Sequence, residues 1–495
     1  MRTSINGTWI VAHQAGRHSL LRDGVVVYEG NKIVHVGKFF DGPVDRIIDA
    51  TGKLVAPGFI DTHVHTGHRA SHRLITDTGR PMFYGQPFLE ISVPKEGKVV
   101  QGDPRYLKHG DAGAAGAFAL NAVFTVAELL RNGVTTMIEF GSQLRVQDAL
   151  LAEVTRLGTR AYLAPGYDCG RWVGDALGRL KRGRNDEMGL SGLKTALEWI
   201  EKHDGAAQGR VRGILVPREV ETSSIELLRR TREAADERKL PIATHAAYSV
   251  LEFHDTVREY MKTPIELLDD LSLLRPTLNI GHGNFIADNP NLNYARPRDL
   301  ELMGRSGATI SHCPINIVRR ARVLDNWKSY RQAGVNISIG SDTYPRDMIM
   351  NMRTACYMGK VMSHSYFAAP AGEVFEAATL GGARSVGRDD LGRLSPGALA
   401  DIIVIDLSGR GTLRYGPVRD PVKSLIECGV GDDVDTVIVD GKVCMENGII
   451  PGVDFSELRA DAQAAGETIW ATLPDWDPLG RNAEEACPYC YPEAG

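Results

Sequence analysis

The sequence predicts an α/β protein: a (β/α)8 (TIM-type) barrel with a small composite β-sandwich domain formed by the N- and C-terminal segments. Three observations predict it. Eight short apolar runs with strand character are spread through the middle of the chain and separated by helical patterns. Several of those runs end in His or Asp, as strands do when their C-terminal ends carry chemistry. Hairpin patterns stand at both ends of the chain, outside the alternating middle.

The N-terminal hairpin is Gly24-Val25-Val26-Val27-Tyr28 followed, after Glu29-Gly30-Asn31, by Lys32-Ile33-Val34-His35-Val36. A similar pattern returns in Ala400–Asp406 and Thr436–Val443, so the two ends are expected to meet in one β-domain. The first barrel strand is the apolar run from Leu54 that closes on His63-Val64-His65. The other seven strands are expected at 134–140, 159–165, 211–216, 241–245, 276–282, 308–312 and 335–342. Helical periodicity fills the gaps, for example Val123–Leu130 and the segment from Ser224 onward. The resulting division is 1–56 and 388–455 for the β-domain, 57–387 for the barrel and 456–495 for a C-terminal helix and tail. A doubly wound sheet competes, but it would gather its site at one switch point rather than on separated strands. The segments 66–118 and 168–190 are long for barrel loops and are expected to cover the mouth. Within the first, Gly110–Gly116 lacks the lysine and spacing of a phosphate loop and reads as a flexible loop.

Composition narrows the class. The 495 residues are 43% hydrophobic and 24% charged, which suits a soluble globular protein of one large and one smaller domain. A net charge of −5 gives no reason to expect nucleic acid as a partner. No run of about 18 apolar residues is present, so no membrane partner is expected. Residues Met1–Gly7 lack the apolar segment of a signal peptide, and cytoplasmic residence is the expectation. The seven cysteines are odd in number and scattered, unlike a disulfide framework. Cys487-Pro488-Tyr489-Cys490 lacks the second pair that a structural zinc site needs.

The chemistry is carried by strand ends. Alternate residues of a strand share a face, so His63 and His65 can converge on one ion. His245 closes Leu240–His245, His282 closes Leu278–His282, and Asp342 closes Val335–Asp342. Taken singly, each histidine also reads as a satisfied core residue and Asp342 as a helix N-cap. Together, with Glu139, Asp168, Glu219 and His312 at the other strand ends, they read as a metal-dependent hydrolase. A catalytic divalent ion needs N and O ligands and an open position for water. Asp342 suits both ligation and proton transfer, and His282 then faces the substrate and polarises it.

These residues resemble the amidohydrolase superfamily. Pro57–His65 is similar to its first-strand signature. Ser311-His312-Cys313-Pro314-Ile315-Asn316 and Gly340-Ser341-Asp342 resemble the branch of triazine hydrolases and cytosine, guanine and adenosine-derivative deaminases. Leu394–Asp406 matches the return into the β-domain. The resemblance implies His63, His65, His245 and Asp342 as metal ligands, His282 as the substrate-polarising histidine, and His312 as a contact behind it or to substrate. It implies one divalent ion, Zn2+ first and Fe2+, Co2+ or Mn2+ otherwise. The fourth-strand segment holds no lysine to bridge two metals, and Glu219 is the remaining candidate bridge. A homo-oligomer is expected by resemblance alone.

One departure matters. Deaminases of this branch place a Glu three residues after the fifth-strand His, where it shuttles protons to a ring nitrogen. Here Tyr248 stands at that place, and the next acid is Glu252. A phenol is too weak an acid for easy shuttling. The reading therefore leans toward hydrolysis of an amide, carbamate or urea C–N bond in a small molecule, with Tyr248 donating to the developing oxyanion. Deamination or dechlorination of an N-heterocycle is the alternative, and an inactive structural relative the remote one. Trp172, with Tyr167, reads as lining the substrate pocket, with simple packing of the covering segment as the alternative. Arg319-Arg320-Ala321-Arg322 reads as a solvated helix end rather than an anion site, and the methionines from Met348 to Met362 as packing.

Overall fold

The computed structural model describes residues 1–67, 73–78, 93–97, 110–175, 177, 179–409, 411 and 413–492, with backbone alone for 110–117. The chain opens with β1 (Arg2–Gln14), β2 (Arg17–Glu29), β3 (Lys32–Gly37) and β4 (Arg46–Pro57). Ala15 and Gly16 both take positive φ in the tight turn between β1 and β2, as a two-residue hairpin turn requires. The hairpin read over Gly24–Val36 lies within β2 and β3.

The middle supplies β5 (Phe59–Val64), β6 (Val134–Glu139), β7 (Arg160–Leu163), β8 (Trp172–Gly174), β9 (Leu180–Arg182), β10 (Val211–Gly213), β11 (Ile242–Ala246), β12 (Leu278–His282), β13 (Thr309–His312) and β14 (Asn336–Ile339). Two parallel four-stranded sheets result, in the orders β10-β7-β6-β5 and β11-β12-β13-β14. Every residue of β5, β6, β7, β11, β12 and β13 is buried. That is why these strands read as continuous apolar runs rather than alternating ones. Isolated parallel bridges join the sheets on both flanks, Leu215 to Ile242 and Val64 to Asp342.

Helices cover the outer faces. The helix Ile225–Arg238 shows how the sequence sets them: the Ser224 hydroxyl accepts from the Leu227 N–H at its start. Leu227, Leu228, Thr231 and Ala235 form its buried stripe. Lys239 ends it in the left-handed region.

The C-terminal strands β15 (Ile402–Asp406), β16 (Val434–Val439) and β17 (Lys442–Met445) join the first four in one sheet, ordered β17-β16-β15-β4-β1-β2-β3. Ile5, Ile10, Val26, Val55, Ile402 and Ile438 form its separate apolar core. Arg160 of β7 clamps this sheet to the strands of the middle region, donating to Asp401 at 3.0 Å and Asp440 at 3.2 Å. All three side chains are largely buried, so the ions are held by pairing.

One expectation is corrected. The backbone of Gly110–Gly116, read as a loop, begins the helix Gly110–Arg131: an alanine-rich stretch overrides its glycines. The segment 168–190 folds partly as the β8–β9 hairpin. Most of 66–118 lies outside the described residues. Met348 and Met352 are buried in the helix Met348–Met362, as packing residues are. Among the described residues, no helix is long and apolar enough to cross a membrane.

Candidate metal centre

The strand ends bring three imidazoles to one point. Nε2 of His63 lies 3.1 Å from Nε2 of His65, that atom lies 3.1 Å from Nε2 of His245, and His245 closes the triangle to His63 at 3.2 Å. Asp342 stands beside it, with Oδ1 3.7 Å from His65 Nε2 and 4.0 Å from His63 Nε2. Its other oxygen is 3.6 Å from Nε2 of His282.

Close packing fixes these rings. The His63 imidazole stacks on Phe140 with centroids 3.7 Å apart. A Cβ at Gly281 would meet His63 Cε1 at 2.6 Å, and one at Gly340 would meet His63 Cβ at 2.5 Å. Glycine at both places leaves the ring its room. Asp61 holds the strand ends together, its Oδ1 accepting from the His63 N–H at 3.2 Å and the Ser341 N–H at 3.0 Å. Burial pushes Asp61 up to about 6. His282 and Asp342 both sit at positive φ, 72° and 63°, an unusual backbone that turns their side chains off the strand ends.

The donor set fits a divalent metal ion. His245 Nδ1 lies 2.8 Å from the Arg218 carbonyl and donates to it, which leaves the Nε2 lone pair facing the other imidazoles. Burial holds His63 and His282 well below the ordinary imidazole value, and the neighbouring imidazoles push them further down. Three neutral rings presenting nitrogens to one another is the arrangement a cation resolves. Tetrahedral zinc holds its nitrogen ligands about 3.3 Å apart, close to the spacing observed. Among the described residues, His63, His65 and Asp342 form one compact donor group, His63, His245 and His282 a second. Burial raises Asp342, against the opposing charge of Arg320.

Residues read less fully from sequence surround this group. Asn316 donates its amide to Asp342 Oδ2 and accepts from Arg319 at 2.6 Å and Arg320 at 2.9 Å. The arginine run read as a solvated helix end is thus corrected: Arg319 and Arg320 turn inward toward Asp342, and Arg319 also covers the Tyr344 ring at 4.3 Å. Cys313 brings its thiol within reach of His282 and Asp342. His312 is buried edge-on to Trp327, and burial lowers it to about 3. Glu139 is occupied by Ser142 and Gln147, and Asp168 pairs with Arg218 at 3.5 Å. Glu219 Oε1 is 3.9 Å from His245 Nδ1, the nitrogen turned away from the centre, and Glu219 is in none of the donor groups found among the described residues.

Tyr248 and Trp172 converge on a residue the sequence reading passed over. The Tyr248 ring lies 5.9 Å from His245 and 6.3 Å from His282 between centroids. Its hydroxyl donates to Glu221 Oε1 at 2.5 Å, and Trp172 Nε1 donates to the same oxygen at 3.3 Å. The signal available in the sequence was Glu219-x-Glu221, two acids on one face just past a strand end.

Clustered neutral imidazoles and a carboxylate at the C-terminal ends of parallel strands define a metal-dependent hydrolase. The chain belongs to the amidohydrolase family, whose sequence pattern matches residues 54–444. It is 30% identical over 425 residues to the 5-methylthioadenosine/S-adenosylhomocysteine deaminase of Thermococcus kodakarensis, covering 85% of this chain and 89% of that one. A zinc-bound adenosine deaminase from Xanthomonas campestris superposes with a TM-score of 0.76 at 22% identity, over 94% of this chain and 98% of the other. An atrazine chlorohydrolase mutant from Arthrobacter aurescens, complexed with zinc and atraton, gives 0.75 at 23% identity, over 94% and 100%. Both solved structures share the fold.

Proposed function

We propose that the enzyme hydrolyses an acyl C–N bond, of amide, carbamate or urea type, in a small organic molecule. The observation that carries this is Tyr248, a phenol against the rings of His245 and His282 where deaminases of this branch hold a carboxyl. Burial and the carboxyls of Glu221, Glu219 and Glu252 drive the phenol well above its ordinary value, so it serves as a hydrogen-bond donor and not as a proton shuttle. An acyl carbon is already polarised by its own oxygen and needs such a donor more than a ring-protonating acid.

In this reading His63, His65, His245 and Asp342 hold the metal, zinc as in the Xanthomonas and Arthrobacter proteins. When bound, the ion supplies Lewis-acid activation of water. Asp342 accepts the proton from the attacking water and returns it to the departing nitrogen. His282 and Tyr248 face the carbonyl oxygen from one side, with His312 behind His282. Trp172, held through Glu221, borders the substrate. The same reading closes the eight strands of the two parallel sheets, within 57–387, into a (β/α)8 barrel, with 1–56 and 388–455 as the composite β-domain and 456–495 as helix and tail. The bridges on both flanks of the two parallel sheets support that closure.

A second reading, removal of an amino or halide group from an N-heterocycle, is favoured by the Glu221 carboxyl behind the phenol and by the deaminase relatives. A mass-spectrometric product screen of the metal-loaded protein decides. Release of an organic amine from pooled aryl amides, carbamates and ureas is the expected result. Ammonia, alkylamine or chloride from aminated and chlorinated heterocycles, with the acyl pool untouched, overturns it.

A further inference from the structure

Three carboxyls gather behind Tyr248, and the structure treats them differently. Glu252 is fully buried, and each of its oxygens has a donor: Oε1 takes the Ala247 N–H and Oε2 the Tyr248 N–H, both at 2.9 Å. Glu219 Oε2 accepts from the Thr222 hydroxyl at 2.9 Å. Glu221 is also fully buried, but only Oε1 is engaged, and Oε2 has no partner. Facing Glu221 are Glu219 on its own loop, Tyr248 and Glu252 from the segment after β11, and Arg182 of β9. The Arg182 guanidinium donates to the Glu221 carbonyl and pairs with Asp255 at 3.2 Å, so its charge is already shared. A carboxylate left half-satisfied among other carboxyls is costly, and holding a proton removes the charge.

We propose that Glu221 is a positioning residue that acts through Tyr248: its protonated carboxyl donates to the phenol oxygen and frees the phenol O–H for the substrate oxygen. When Glu221 ionises, it takes that O–H for itself and withdraws it from the substrate. No atom is transferred between substrate and Glu221; one proton moves from Glu221 to solvent as the pH rises. Burial, with the charge of Glu219, pushes Glu221 up to about 7, which puts the change within the working range. The role rests on the acyl reading, whereas the protonation state of Glu221 does not.

Two measurements test it. Infrared difference spectra of the full-length zinc-loaded chain, without substrate, compare about pH 5.5 with about pH 9. A protonated-carboxyl component that disappears at the higher pH in the parent and is missing from the same difference in Glu221→Gln is expected, over the components that Asp61, near 6, and Asp299, near 7, give in both. Its absence from the parent, or its persistence in Glu221→Gln, overturns the proposal. The second is the pH profile of kcat/KM on whichever compound the product screen identifies. The parent rate falls as pH rises through about 7; Glu221→Gln, a permanently neutral N–H donor, lowers the rate below pH 7 about threefold and abolishes that fall. An unchanged fall in Glu221→Gln overturns the relay. If no acyl compound is hydrolysed, the proposed function fails while the infrared result still decides Glu221.

Discussion

Asp342 is fastened to His63 by main chain rather than by its carboxylate: the Asp342 N–H donates to the His63 carbonyl at 2.7 Å. The His65 N–H returns a 2.7 Å bond to the Asp342 carbonyl. The ends of β5 and β14 are thereby locked together at the height of the candidate centre. The carboxylate takes no part in that lock: it accepts from the Asn316 amide and faces His65, His282 and the inward-turned Arg320.

Replacement of that carboxylate therefore separates fold from function. Asp342→Asn should retain the parent melting behaviour and lose turnover by a factor on the order of 10²–10⁴, the usual weight of a positioned acid–base group. Rates and melting curves of the metal-loaded variant provide the check, and near-parent activity would refute the role given to Asp342.

Metal removal should act on stability as well as rate. Stripping the ion with a chelator is expected to abolish activity and lower the melting temperature; readdition of zinc restores both. With free zinc 100-fold above its Kd, linkage is worth about 2.7 kcal/mol. Calorimetry with elemental analysis checks this, and a stoichiometry near one ion per chain is expected. His63→Ala should abolish the zinc-dependent rise in melting temperature.

Gly281→Ala tests whether the space beside His63 is required. The added Cβ would press on the imidazole at 2.6 Å. Overpacking of this kind costs about 1–3 kcal/mol, and displacing a ligand ring should weaken zinc binding about 10- to 100-fold. Competition titration against a chromophoric chelator reads the affinity directly.

Tyr248→Phe removes the hydroxyl and keeps the ring. On an amide, carbamate or urea it should lower kcat about 10²-fold with little change in KM, as loss of a single oxyanion donor does. An unaltered kcat would reduce Tyr248 to packing.

The parts of the centre that lie on strand ends were legible in the sequence, because burial on both faces writes apolar runs whose last residue is conspicuous when polar. His63, His65, His245, His282 and Asp342 all came from that rule. Glu221 escaped it, since it lies eight residues past the three-residue strand β10 and gains meaning only where the Tyr248 side chain crosses to it. The arginines at 319 and 320 were misread for a related reason. A run of charge looks solvated unless its partners are known, and the partners here include the Asn316 amide, the Thr343 hydroxyl and the Tyr344 ring. The backbone bonds between Asp342 and His63 join residues far apart in sequence and have no local signature.

The seven-stranded sheet has a consequence for how the molecule comes into being. Its fourth strand, β4, pairs along one edge with β15, Pro57 against Ile402 through Lys53 against Asp406. During synthesis that edge waits for residues far downstream, an interval of tens of seconds at about 5–20 residues per second. The strand that leads directly into the candidate metal-ligating histidines is thus left with an open edge until nearly the whole chain has left the ribosome. A truncated product would keep His63 and His65 but lack the neighbour that covers the strand before them.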